Sequence, residues 1–255
     1  MTTTLRELVR FADDCLQPGQ FQDYCPNGLQ VEGRPEVARL ATGVTACQAL
    51  LDAAADWGAD AVLVHHGYFW RGEDARITGM KRRRLATLLT GEISLLAYHL
   101  PLDAHPELGN NARLGQLMGI PLDSHEPLQP GSGDSVGNLA TLPAPLAASE
   151  LVARLEEFTG RSALHIGDPQ GRISRVAWCT GAAQGYIEAA VMAGADLFVT
   201  GEISEQTVHT AREEGIHFVA AGHHATERYG VQALGEHLAQ HFGLQHRFFD
   251  IDNPV

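Results

Sequence analysis

Apolar residues recur along this chain in two patterns, one typical of amphipathic helices and one typical of buried strands. Thr4 and Glu7 form a capping box, and apolar residues at helical spacing follow them, which predicts an N-terminal helix. Short continuous apolar runs, such as 61–64, are typical of strands buried on both faces of a parallel sheet. Strand, helix and strand signals alternate along the chain, which predicts an α/β protein.

The strand–helix–strand pattern occurs twice. Residues 42–67 align with residues 178–203 at an offset of 136, and seven of the 26 pairs are identical. Unrelated βαβ units also share Ala-rich helices and Gly-Ala-Asp turns, but here the following strands, predicted at 93–98 and 216–221, correspond as well. We therefore predict two similar α/β domains that arose by duplication. A Pro-, Gly- and Ser-rich stretch places their boundary between 1–125 and 126–255.

Composition narrows the class of protein. Acidic residues outnumber basic ones by 31 to 18, giving a net charge of −13, and such a surface disfavours a general nucleic-acid binder. No apolar run is long enough to span a membrane, and the N-terminus lacks the apolar segment of a signal peptide. The four cysteines show no Cys-x-x-Cys spacing, so we expect free thiols and a cytoplasmic location.

Three local motifs leave alternatives open. The basic run Lys81–Arg84 is typical of a solvated helix start, and its alternative role is contact with an anionic substrate or a nucleic acid. The aromatic run 68–70 favours core or interface packing over stacking on a base. No Walker loop is present, and the Gly-Ser-Gly run at 131–133 is more typical of a linker than of a phosphate loop.

Potential metal ligands cluster at the predicted carboxyl ends of strands, where open α/β sheets bind their ligands. In chain order they are His65, His66, His99, Asp103, Glu202, His223, His224 and Glu227. Nitrogen and carboxylate ligands together suit Zn, Mn, Fe, Co or Ni, whereas calcium prefers oxygen alone. One ion rarely needs as many as five protein ligands, and this set is larger, so we predict two divalent ions.

Placement separates these histidines from the remainder of the thirteen. His224 neighbours His223 and stays open as an alternative ligand. The others lie away from the predicted strand ends and are interpreted as surface or packing residues: His105, His125, His165, His209, His217, His237, His241 and His246.

Several longer motifs resemble one known family. They are HHGYFW at 65–70, YHLPLDAHPELGNN at 98–111, TGEISEQTVH at 200–209, AAGHHATERYG at 220–230 and PNGLQVEG at 26–33. Together they resemble the GTP cyclohydrolase 1 type 2 family, also called the Nif-three-like dinuclear-metal family, over essentially the whole chain. The resemblance implies two α/β domains with a dinuclear metal site in the cleft between them. It also implies a toroidal homohexamer built as a trimer of dimers.

The resemblance further implies the roles of individual residues. The implied metal ligands are His65, His66, Asp103, His223 and Glu227. His99 would lie beside them, where it orients a ligand or donates to bound substrate, and is our catalytic candidate. The implied activity is that of a metal-dependent hydrolase acting on a nucleotide-like, cyclic amide or phosphoester substrate. The alternative is a metal-binding ring without turnover that acts as a scaffold or binds a partner.

Overall fold

Three consecutive parallel strands form the centre of each of two sheets, as the repeated strand–helix–strand pattern predicts. The computed structural model describes residues 1–130 and 136–255, so the Gly-Ser-Gly run at 131–133 lies outside the described residues.

Within those described ranges the strands are β1 Thr3–Thr4, β2 Gly28–Val31, β3 Glu36–Val37, β4 Arg39–Thr45, β5 Ala61–His66, β6 Ser94–Ala97, β7 Glu126–Pro127, β8 Asn138–Ala147, β9 Leu164–Ile166, β10 Arg172–Trp178, β11 Leu197–Thr200, β12 His217–Ala220 and β13 Gln245–Phe248. The helices are α1 Leu5–Leu16, α2 Gln48–Trp57, α3 Gly79–Thr90, α4 Leu100–Ala104, α5 Asn110–Leu117, α6 Ala148–Thr159, α7 Ile187–Met192, α8 Glu205–Glu214, α9 His223–Thr226 and α10 Arg228–Phe242. Short 3-10 turns occur at Pro18–Gln20, Leu122–Ser124 and Gln184–Tyr186.

The chain divides into two units, each with its own sheet. The first comprises Met1–Leu102 and Gly230–Asp252, and the second comprises Asp103–Tyr229 and Asn253–Val255. This division differs from the predicted domains, 1–125 and 126–255. The reason is that α5 follows β6 into the second unit, whereas α10 and β13 follow β12 back into the first.

The sheet of the first unit has the order β13-β4-β5-β6-β2. Strands β4, β5 and β6 run parallel, β13 is parallel to β4, and β2 is antiparallel to β6. The apolar run of β5 is fully buried, as expected for a central strand covered on both faces. Helix α2 packs its buried Leu50, Leu51 and Ala54 into this core and ends at Gly58, whose φ of 76° is the left-handed conformation that glycine allows.

The sheet of the second unit has the order β7-β8-β10-β11-β12-β9. Strands β10, β11 and β12 run parallel, while β8 and β9 are antiparallel to their neighbours β10 and β12. Trp178 at the end of β10 is fully buried in the core, and its indole N–H donates to the carbonyl of Asn111 at 2.8 Å. This bond satisfies the one polar atom of a large apolar side chain.

The duplication extends beyond the aligned residues. In each unit a short strand that precedes the parallel core in the chain pairs antiparallel with the third core strand: β2 with β6, and β9 with β12. A long helix precedes that short strand in both cases, α1 in the first unit and α6 in the second. Chain order and strand direction therefore agree in both copies, and the predicted pair of similar α/β domains is confirmed.

The strands predicted at 61–64, 93–98 and 216–221 form within two residues of those bounds. The capping box of α1 is formed, with Glu7 N donating to Thr4 Oγ1 at 3.2 Å. One difference matters for the site: β5 continues through His65 and His66 instead of ending before them. In the described part of the chain, no helix is both long and apolar enough to cross a membrane.

Candidate metal centre

Three histidines gather at the strand ends of the first unit. His65 and His66 are the last residues of β5, and His99 follows β6, the next strand of the sheet. Each offers a ring nitrogen that lies within 4.8 Å of those of the other two. Although side chains alternate along a strand, the rings of His65 and His66 approach to 4.5 Å between centroids. The strand end therefore holds both rings in one group.

The rings of His65 and His66 are oriented through their Nδ1 atoms. His65 is fully buried, and its Nδ1 donates to the backbone carbonyl of Tyr98 at 2.9 Å. His66 Nδ1 is hydrogen-bonded to Thr45 Oγ1 at 3.2 Å. A partner at Nδ1 fixes the ring so that Nε2 is the nitrogen offered to a metal, which is the usual arrangement of histidine ligands.

His99 is oriented by a carboxylate. Its Nδ1 donates to Asp23 Oδ1 at 2.7 Å, and Asp23 also accepts from Asn27 and from the backbone N–H of Leu100. Burial alone would raise the pKa of Asp23, but the hydrogen bonds from His99 and Asn27 outweigh it and lower that pKa to about 2. The carboxylate is thus ionised at neutral pH and fixes the ring of His99.

Cys25 lies close to this pair, within ligand distance of Asp23 and His99. Burial first, and then the charge of Asp23, raise the pKa of its thiol to about 12. A thiol with such a pKa is protonated at neutral pH, and the thiolate is the form that binds metals or attacks as a nucleophile. Cys25 is therefore a protonated thiol, and not a nucleophile, while no metal is bound.

In the second unit, His223 lies between two carboxylates. Its Nδ1 donates to Glu202 Oε1 at 2.6 Å, and its Nε2 is 3.2 Å from Glu227 Oε2. Burial alone would lower the pKa of His223, but Glu227 and then Glu202 outweigh it and raise that pKa to about 9. Because a metal ligand must be the neutral imidazole, a metal at His223 competes with this proton.

A short helix begins at the candidate ligand His223. This helix, α9, ends at Thr226, so Glu227 follows its last residue. His224, the alternative ligand, is buried and belongs to none of the groups of three ligands found among the described residues. Its backbone N–H donates to the carbonyl of Val255 at 3.0 Å.

Two buried carboxylates complete this set in the second unit. Asp103 and Glu227 are 6% and 3% exposed, and their nearest ligand oxygens lie within 4.8 Å of each other. Asp103 Oδ1 accepts from Asn110 Nδ2 at 2.9 Å and from Thr180 Oγ1 at 3.2 Å. Two buried carboxylates at this separation repel each other, and a cation stabilises such a pair.

A glycine makes room for these ligands. Gly181 follows β10 with a φ of 71°, and a Cβ built there would collide with Glu227 Oε1 and lie 3.3 Å from His223 Nε2. Both the backbone conformation and the space therefore require glycine. With imidazoles oriented through Nδ1 and carboxylates buried as a pair, the donor chemistry of each unit fits divalent transition metals.

The sequence pattern did not identify most of the residues that orient the candidate ligands. Asp23 lies in a loop without periodic signal, and Thr180 and Asn110 carry no metal-binding pattern. Glu202 was identified as a potential ligand, because it occupies the repeat position of His66. Several of the other histidines pack on aromatic rings, as expected: His125 on Trp178 and His241 on Phe11.

The chain is similar to known proteins over its whole length. A family model described as Duf34/NIF3 (NGG1p interacting factor 3) matches residues 3–254. A "GTP cyclohydrolase 1 type 2 homolog" of Pseudomonas aeruginosa is 56% identical over 255 residues, with both chains fully covered. Its namesake in Escherichia coli is 53% identical over 251 residues, covering 98% of each chain.

Solved structures agree with these relatives. The protein ybgI, whose description gives its function as unknown, has a TM-score of 0.91 at 49% identity, covering 99% of this chain and all of that one. TTHA1606 from Thermus thermophilus has a TM-score of 0.87 at 36% identity, with the same coverage. Fold and ligand chemistry thus define an α/β protein with two similar units and candidate metal-binding residues in each. The chain belongs to the Duf34/NIF3 family.

Proposed function

We propose that the ligands of both units bind two divalent metal ions in one dinuclear site, and that the protein is a metal-dependent hydrolase. The observation that carries this proposal is the complementary chemistry of the two ligand sets. The first unit offers the imidazoles of His65, His66 and His99. The second offers the buried carboxylates Asp103 and Glu227, together with His223. The first set carries no carboxylate and the second has a single imidazole, so two divalent ions would draw most of their nitrogen donors from the first set and their negative charge from the second.

The proposed ligands are those that the family resemblance implies, namely His65, His66, Asp103, His223 and Glu227. Divalent ions in such a site polarise a substrate oxygen and lower the pKa of a bound water. Among the chain's own groups, His99 is the candidate for moving a proton. Asp23 holds its Nδ1, so Nε2 is the atom that would accept or donate that proton. Asp23 would stabilise the imidazolium form, as a buried carboxylate does beside a catalytic histidine.

The relatives support one substrate class over others. Their shared description, "GTP cyclohydrolase 1 type 2 homolog", favours a nucleotide-like substrate. Cyclic amides and phosphoesters are the wider classes that a water activated by two ions hydrolyses. The alternative function is a metal-binding scaffold without turnover, which would use the same ligand types.

The test combines metal analysis with a panel of substrates. We expect the purified chain to hold two ions, and to hydrolyse at least one nucleotide, phosphoester or cyclic amide when Mn, Zn or Ni is added. Glu227→Gln should lose both properties, while Glu205→Gln, an exposed carboxylate on α8, should keep them. Two ions without turnover of any panel member would favour the scaffold. Turnover that is equal in the wild type and in Glu227→Gln would contradict the hydrolase.

Self-assembly into a homohexamer, a trimer of dimers, is also part of the proposal. Ile77, Met80 and Leu89, at and around α3, are all more than half exposed, which is unusual for apolar side chains near one helix. Mass photometry should give a particle six times the mass of the 27.5 kDa chain. A monomeric mass at micromolar concentration would contradict the hexamer.

A further inference from the structure

A cavity of about 370 Å³ lies within the second unit, next to its candidate metal ligands. Its walls include Arg161, Ser162 and Glu202, and residues 254–255 form an apolar side. Glu202 is the residue that holds His223 by its Nδ1, so the cavity and the candidate ligands share a side chain. A cavity of this volume is large enough for a small molecule or for one part of it.

Arg161 supplies a positive charge to this cavity. Its Nη1 is buried, and no hydrogen-bond partner for that atom occurs in residues 1–130 or 136–255. The nearby carboxylate of Glu202 is paired with His223 instead. A buried guanidinium N–H without an acceptor is costly. The guanidinium fork is also the side chain best suited to bind the oxygens of a phosphate or carboxylate.

The backbone beside His223 is shaped to accommodate this guanidinium. A Cβ built on Gly222 would lie 2.5 Å from Arg161 Nη1 and 3.0 Å from its Cζ. Gly222 has a φ of 99°, a conformation that other residues rarely adopt. Because Gly222 directly precedes His223, the same turn positions a candidate metal ligand and provides the space that Arg161 fills.

We propose that this cavity binds an anionic group of the substrate, of the size of a phosphate, through Arg161. Ser162 lies at the rim, where its hydroxyl would contribute a second hydrogen bond. The proposal rests on the proposed function, since the reacting part of the substrate would lie at the neighbouring metal ligands. It deepens that function by selecting phosphorylated substrates, nucleotides among them, over neutral cyclic amides.

Inorganic phosphate is the probe, and the full chain depleted of metal by a chelator is the sample, so that phosphate cannot bind to an ion. Isothermal titration calorimetry should detect saturable binding that Arg161→Met weakens by at least about tenfold, the loss expected for a charge-assisted hydrogen bond. Arg161→Lys keeps the positive charge but loses the forked geometry of the guanidinium, so its phosphate affinity should lie between those of the wild type and Arg161→Met. Equal affinities in the wild type and Arg161→Met, or no saturable binding by the wild type, would overturn the proposal.

A second variant avoids the packing of Arg161 altogether. Ser162 is exposed at the cavity rim, so Ser162→Glu adds a negative charge without disturbing the fold, and should also weaken phosphate binding at least tenfold. Gln170→Glu adds the same charge on an exposed turn away from the cavity and should bind phosphate as the wild type does. Equal weakening by both variants would show non-specific attraction and would overturn the proposal.

Metal content of the same variants separates this site from the metal centre. We expect Arg161→Met to retain the wild-type metal content after reloading while phosphate binding falls. If the wild type binds no metal but its phosphate binding still depends on Arg161, the dinuclear centre is contradicted and the anion site is supported.

Discussion

The two units share three parallel core strands and the antiparallel strand beside the third, but they differ in chemistry at the corresponding strand ends. The second core strand of the first unit ends with His65 and His66, where the aligned positions of the second unit are Gly201 and Glu202. Imidazole thus stands in one copy where a glycine and a carboxylate stand in the other. The two copies therefore retain the same backbone positions at these strand ends, while the side chains at those positions differ.

The residues after the third core strand, in contrast, are of the same types in both units. In both copies a histidine follows that strand, with a carboxylate four residues later: His99 and Asp103, then His223 and Glu227. Both histidines are also held at Nδ1 by a carboxylate, 2.7 Å away for His99 and 2.6 Å away for His223. The supporting carboxylates differ in origin, a loop before β2 for Asp23 and the residues after β11 for Glu202.

The largest predicted effect comes from the carboxylate set. Glu227 is within ligand distance of both His223 and Asp103, so Glu227→Gln should weaken metal binding by more than about 100-fold, beyond the loss expected for a residue that only supports a ligand. The measurement is metal content by inductively coupled plasma mass spectrometry after dialysis against a competing chelator. Retention of two ions in this variant would contradict the assignment of Glu227 as a metal ligand.

Removing an imidazole from the first unit should have a smaller effect. His66→Gln takes away one nitrogen donor, and we expect one of two ions to be lost while the other stays. His209→Gln, an exposed histidine on α8, is the matched control and should bind as the wild type does. If His66→Gln and His209→Gln retain equal amounts of metal, the first unit contributes no ligand at this position.

Removing the supporting carboxylates should weaken metal binding or turnover by about 10- to 100-fold, the range typical of groups that orient ligands. Glu202→Gln removes the partner of His223 and should act on metal affinity. Asp23→Asn removes the partner of His99 and should act on turnover, with little change in metal content. The reverse distribution of effects would identify His99 as a ligand and not as the proton-transfer residue.

The smallest effect concerns a histidine pair of the second unit that has no such carboxylate. His165 Nε2 lies 3.1 Å from His217 Nδ1, and burial first, then the charge of His217, lower the pKa of His165, with Asp168 acting weakly against them. Between the lowered pKa of His165 in the folded chain and its usual value of 6.5, the unfolded chain binds more protons than the folded chain. The free energy of unfolding therefore rises with pH through this range, and the stability is lost as pH falls through it. The free energy of unfolding in urea, measured at pH 5.5 and at pH 7.5, should differ less between the two pH values for His165→Gln than for the wild type. An unchanged difference would contradict the assignment.

The sequence predicted the regular elements well because their apolar positions carry the signal. The two copies of the strand–helix–strand pattern form as aligned, with their first two strands paired in the same register. The chain passes into the second unit before α5 and returns to the first at α10. This could not be predicted, because the apolar face of a helix does not indicate which of two sheets it packs on. Strand β9 has three residues and strand β2 has four, too short for an alternation to be recognised.

The same distinction applies to the candidate site, where residues at strand ends were predicted and a residue in a loop was not. Residues at strand ends, such as His65 and His66, were found because topology brings the carboxyl ends of parallel strands together. Asp23 lies 76 residues before His99 and outside any periodic element, so only the folded chain shows that it orients His99. The identity of the metal ligands stays a prediction, supported by the Nδ1 partners of the histidines and by the buried carboxylate pair.

Anomalous diffraction from crystals of the purified protein, collected at the absorption edge of the metal found by elemental analysis, tests the central claim most directly. We predict two anomalous peaks per chain, about 3.5–4 Å apart, with ligand atoms from His65 and His66 of the first unit and from Asp103, His223 and Glu227 of the second. A single peak, or peaks contacted by residues of one unit only, would contradict a dinuclear site shared by the two units.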